Sequence, residues 1–88
     1  MTVLVDDAIW PAHGRLWAHL VSDSDLDELH AFAAQQGIPR RAFDVDHYDV
    51  PADALPRLLA AGAVHVSGKE LTRRLIRSGL RVRARDRS

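Results

Sequence analysis

The chain has 88 residues, enough for one domain and one core. It holds no cysteine, which excludes disulfides, thiolate nucleophiles and cysteine-ligated zinc, so any metal must be held by His and carboxylate. The net charge is zero but unevenly spread: residues 1–68 carry ten acids against four arginines, and residues 69–88 carry eight basic side chains against two acids. Met1 to Asp7 lacks the basic start of a signal peptide, and no apolar run reaches membrane-span length. The expected setting is the cytoplasm, with no membrane contact.

Val3-Leu4-Val5 is a short apolar run closed by Asp6-Asp7, which predicts a strand covered on both faces, as in the middle of a parallel sheet. The turn signals Trp10-Pro11 and His13-Gly14 predict a loop over 8–16, before a short second strand from Trp17 to Val21. Ser24 reads as the N-cap of the first helix. Asp27 and Glu28 follow in its first turn, Leu26, Leu29 and Ala33 form its buried stripe, and Gly37 and Pro39 mark its stop. His30 falls on the edge of that stripe, about 100° from Leu29. Arg40 to Phe43 suit one helical turn, and His47 to Val50 an extended piece ended by Pro51. A second helix carries Leu55, Leu58 and Leu59, with Pro56 in its first turn, and closes at Gly62. Ala63 to Val66 read as another buried strand. Ser67 and Glu70 have the spacing of a capping box and open a third helix, with Leu71 and Leu75 facing inward, that ends at Gly79.

This order predicts an α/β protein: a small two-layer or three-layer domain over residues 1–79, with a short, mainly parallel sheet and about three helices. A basic tail, 80–88, follows it. So narrow a sheet invites a homodimer that extends or covers it.

Ligands of α/β sheets bind beyond the carboxyl ends of strands, where Asp6 and Asp7 stand. Adjacent carboxylates repel, and desolvation raises the cost of each; a cation relieves both. Strand alternation lets only one of the two face a given side. His47 and Asp49 project to one side of an extended segment, where they can share a metal or where Asp49 can orient His47 as a base. Asp46 lies beside them. His19 and His30 flank the turn at Ser22-Asp23, while His13 and His65 are weaker candidates. Trp10, Trp17, Phe32, Phe43 and Tyr48 are scattered and not interleaved with Arg, which suits core and lid rather than base stacking. The chain has no P-loop, no glycine-rich dinucleotide turn and no G-x-S-x-G elbow.

From Val3 to about Glu70 the chain resembles the DUF4031 family, small proteins of bacteria and their phages. The resemblance rests on Val5-Asp6-Asp7, on His19 followed by Asp23, on Glu28-Leu29-His30 with Phe32-Ala33, on His47-Tyr48-Asp49 and on Gly62-Ala63. Some relatives have Lys-Arg in the second helix; here Pro56-Arg57 stands nearby. The resemblance implies which residues matter and supplies no reaction.

The residues support two functional readings. In the first, Asp6, His19, His30, His47 and Asp49 converge on a divalent metal, Zn, Mn or Fe rather than Mg for a His/carboxylate set. Asp7 and His47 are then the acid–base candidates, and Arg40, Arg41 and Tyr48 hold a phosphate-containing substrate, giving a metal-dependent hydrolase or phosphoesterase. Catalysis on that reading survives removal of residues 80–88 and fails in His47→Ala. In the second, the His/Asp network is structural, and the chain is a non-catalytic binding module whose basic tail contacts nucleic acid or an acidic partner. Metal-free phosphotransfer to Asp6 ranks behind both.

Overall fold

The computed structural model describes residues 2–82. Strands run over Val3–Val5 (β1), Trp10–Ala12 (β2), Arg15–Ser22 (β3), Phe43–Asp44 (β4), His47–Pro51 (β5) and Val64–His65 (β6). Helices run over Leu26–Gln35 (α1), Leu55–Ala60 (α2) and Gly68–Ser78 (α3), with 3-10 turns at Arg40–Ala42 and Ala52–Ala54. The six strands form one mixed sheet in the order β4-β5-β3-β1-β6, and β2 also pairs with β3. Among the described residues no helix is long and apolar enough to cross a membrane.

The fold is α/β, as expected, but the sheet is mostly antiparallel. Only β1 and β6 run parallel; the β1–β3, β2–β3, β3–β5 and β4–β5 pairs are antiparallel. The misleading signal was the apolar run in β1. Val3, Leu4 and Val5 are all buried because helices cover both faces of the sheet, and burial on two faces carries no information about strand direction. Val3, Val5, Ala18, Leu20, Tyr48 and Val50 pack with Leu29 and Ala33 of α1 and Leu58 of α2. On the other face Leu4 and Val21 pack with Leu71 and Leu75 of α3. The architecture is therefore three-layered.

The region 8–16 is a hairpin rather than a loop. His13 and Gly14 both have positive φ, 51° and 74°, the backbone a two-residue turn needs to match strand twist. Trp10 and Trp17 stand opposite each other across it. Helix α1 is capped one residue later than expected: the Asp25 carboxylate accepts from Glu28 N–H. Helix α3 is capped by Ser67, whose hydroxyl accepts from Glu70 N–H, as its sequence predicts. The Ala63–Val66 segment is not a buried strand, since Val64 and His65 form an exposed edge. Residues 80–82 belong with the domain rather than with a separate tail. Leu80 packs on the α3 face, and Val82 N–H donates to the buried Asp46 carboxylate at 2.9 Å. The remainder of the basic tail, 83–88, lies outside the described residues.

Candidate metal centre

The site grows from a mismatch in the sheet. Between the pairs Val5↔Leu20 and Trp10↔Trp17, the four residues Asp6–Ile9 face only Ala18 and His19. The first strand must therefore bulge. Where the bulge begins, Asp6 N–H donates to the His19 carbonyl at 3.2 Å. The Asp6 side chain then replaces the missing backbone acceptor: its Oδ1 receives His19 N–H at 2.6 Å, and its Oδ2 lies 2.9 Å from His19 Nδ1. One carboxylate thus fixes both backbone and ring of His19. A Cβ at Gly68, the first residue of α3, would stand 3.6 Å from Asp6 Oδ2, so the positive end of that helix lies close to this buried acid.

The second half comes from the β4–β5 hairpin. Val45 and Asp46 form its turn, with Val45 at φ 49°. Asp46 is fully buried, and its Oδ1 lies 2.7 Å from His47 Nδ1. Its Oδ2 accepts from Val82 N–H and lies 3.5 Å from Arg81.

The pairing of β3 with β5 joins the halves, because His19 stands opposite Asp49. His19, His47 and Asp49 each offer an atom within 4.8 Å of the others'. The two imidazoles meet edge to face, centroids 5.1 Å apart, and Trp10 stacks on His19 at 5.6 Å. Both Nδ1 atoms face carboxylates, and in the neutral ring a proton on Nδ1 leaves Nε2 as a lone pair. His47 Nε2 and Asp49 Oδ1 then stand 3.2 Å apart as two acceptors. Among the described residues Asp49 Oδ1 is buried without a hydrogen bond. Such an arrangement requires a proton or a cation between the two atoms. The hydrogen bond to Asp6 raises the His19 pKa; burial opposes this, the Asp6 and Asp49 charges add to it, and Arg81 subtracts.

The cluster opens onto a cleft of about 250 Å³ between the sheet and α3, with Thr72, Leu75 and Arg81 on its walls. Arg81 comes from the segment the sequence assigned to a tail. Asp46, Trp10 and Arg81 enter the site with roles the sequence did not assign: it placed Asp46 beside His47 and Asp49, suited Trp10 to core or lid, and counted Arg81 in the basic tail.

Of the five expected ligands, Asp6, His19, His47 and Asp49 come together, with Asp6 behind His19 rather than in the ligand set. His30 does not join them. It lies across the sheet, 2.8 Å from the hydroxyl of buried Tyr48 and edge-on to Phe43, because Tyr48 and Asp49 alternate to opposite faces. Burial lowers the His30 pKa, Arg40 lowers it further, and Asp27 works against both. Burial likewise raises that of Tyr48, against Arg40. Tyr48 is therefore buried against α1, on the face away from His19 and His47, and Arg40 lies 5.9 Å above the Phe43 ring on that same side. Arg41 lines a second cleft. Asp7, expected to be a base, points away from Asp6 and pairs with exposed His65 at 2.6 Å.

Fold and site together define a small three-layer α/β protein with two carboxylate-backed histidines and an aspartate on one face of its sheet. The chain belongs to DUF4031, a family described as protein of unknown function, which matches residues 3–78. No curated protein and no solved structure matches it.

Proposed function

We propose that this protein is a metal-dependent hydrolase acting on phosphoesters, with His19, His47 and Asp49 as the ligands of a divalent ion. One observation carries this reading: both imidazoles are backed at Nδ1 by carboxylates, His47 Nε2 stands 3.2 Å from a buried Asp49 oxygen, and His19, His47 and Asp49 each offer an atom within 4.8 Å of the others'. Carboxylate–histidine pairing is the usual outer support of metal ligands. Two His and one carboxylate suit Zn, Mn or Fe, and three protein ligands leave positions for water and substrate. A divalent ion there supplies Lewis acidity and lowers the pKa of bound water. Arg81, on the cleft wall, holds the anionic ester. The reaction adds water across a P–O bond and leaves an alcohol and a phosphate.

The test is elemental analysis of tag-free protein, followed by thermal melts of chelator-treated protein with added Zn, Mn and Fe. A stoichiometric ion, lost in both His19→Ala and His47→Ala, is expected. At a hundredfold excess over Kd the ion should stabilise the fold by about 2.7 kcal/mol, raising the melting temperature by about 10–20 °C. No ion and no cation-dependent shift, with both variants folded, would leave a structural network and a binding module.

A further inference from the structure

The second cleft, about 620 Å³, lies beside the metal cluster. Its volume falls in the range of small-molecule sites. Trp10 and Trp17, the two tryptophans of the chain, both line it, together with Arg15, Arg41, Arg57 and Asp49. The hairpin brings the indoles opposite each other, and the 3-10 turn at Arg40–Ala42 and helix α2 supply two of the guanidinium groups. Aromatic and basic residues that are not interleaved along the chain are thus brought together by the fold. Three guanidinium groups and one carboxylate thus line the cleft; Arg57 donates to the Gln36 carbonyl at 3.1 Å, and the carboxylate is a ligand of the proposed metal. Trp17 Nε1 donates to the Ala12 carbonyl at 2.8 Å. Among the described residues Trp10 Nε1 is buried with no hydrogen-bond partner, a donor at the cleft that calls for an acceptor. Trp10 also stacks on His19, so Trp10 and Asp49 belong to both cleft and cluster.

We infer that this cleft binds a nucleotide, its base stacked on an indole and its phosphate held by guanidinium groups, with Asp49 common to the cleft and the His19/His47 cluster. An apolar ligand would leave the Arg15 and Arg41 charges at the cleft unused; inorganic phosphate would leave the indoles unused. The inference rests on the metal-centre reading for its meaning as a substrate, but not for binding itself.

The test therefore uses the chelator-treated full chain. It is titrated calorimetrically with the four ribonucleoside monophosphates, ribose 5-phosphate, inorganic phosphate and adenosine, and tryptophan fluorescence is followed in parallel. Because both indoles line the cleft, a fluorescence change reports on this site. At least one nucleotide should bind saturably with quenching. Removing its base should weaken binding about tenfold or more, and Arg41→Ala, an exposed position, should weaken it about tenfold. Lys69→Ala, on the exposed start of α3, should leave it unchanged. Equal affinity for ribose 5-phosphate or inorganic phosphate, or no saturable binding of any nucleotide by folded protein, overturns the inference. If nucleotides fail while the His-dependent ion remains, only this inference falls; if nucleotides bind and no ion is found, only the metal reading falls.

Discussion

The two histidines of the cluster take their roles from the atoms behind them. Asp6 holds His19 by backbone and by Nδ1. In Asp6→Asn the amide oxygen can still accept His19 N–H, but the amide nitrogen then faces Nδ1 as a donor and drives the ring to the Nε2–H tautomer, which has no lone pair at Nε2 for a metal. Metal affinity in this variant should fall 10–100-fold or more with a near-normal melt, as read by competition against a chromophoric chelator. Asp7→Asn, at the exposed His65 pair, should change neither. Asp46→Asn places an amide donor among the groups that donate to Asp46, namely His47, Val82 N–H and Arg81. It should cost about 2 kcal/mol in urea unfolding and weaken metal binding as well. Val45 offers a test of opposite sign. A β-branched residue at φ 49° is strained by about 1–2 kcal/mol, so Val45→Asn should raise stability by about 1 kcal/mol while keeping the turn that presents Asp46.

Among the elements, α3 covers the face of the sheet that carries His19 and His47, and an ion pair ties it to the end of β3. Arg74 reaches Asp23 Oδ2 at 2.7 Å, while Asp23 Oδ1 accepts from Thr2 N–H at 2.8 Å. Burial pushes the Asp23 carboxyl up, but Thr2 N–H, the Ser24 hydroxyl and Arg74 together outweigh it and hold the pKa below its ordinary 3.8. A lowered folded pKa stabilises the fold above the unfolded value and loses that contribution as pH falls through the folded one. The ionised Asp23 therefore supports the fold above about pH 4 and stops doing so in stronger acid. Asp23→Asn should lower stability by about 1 kcal/mol at neutral pH and flatten the acid limb of a pH–melt curve. An unchanged acid limb would show that Asp23 makes no difference between the folded and unfolded states.

At the scale of the whole molecule, the chain closes on itself around the site. Val82 N–H and Arg81 from the end of the described chain meet Asp46 at the β4–β5 turn, and Arg81 walls the cleft at His19 and His47. The sequence alone predicts that activity survives deletion of 80–88; the structure predicts the opposite. Protein truncated after Gly79 loses two of the groups that hold Asp46, together with the apolar cover of Leu80. It should melt lower by about 5–10 °C, for a cost of about 1–2 kcal/mol, and bind metal more weakly. Full metal affinity in the truncated protein would limit the role of Arg81 to substrate.

The sequence by itself determined the local chemistry. Apolar period and end signals placed all three helices, because the Ser67 cap, the Gly79 stop and the Leu71/Leu75 spacing act within a few residues of one another. The same alternation rule put His47 and Asp49 on one side of β5, and Asp6 and Asp7 on different sides of their chain. Tertiary structure alone decided strand direction, since both-face burial of Val3–Val5 is identical in parallel and antiparallel sheets. It also decided which histidine joins the cluster. The sequence placed His30 on the inner edge of α1, and it lies there, but α1 covers the face opposite His19 and His47. No local signal states which face of a sheet a helix will cover. The register that sets His19 against Asp49, and the fold of the chain end that brings Arg81 to Asp46, are long-range choices fixed by packing of the whole.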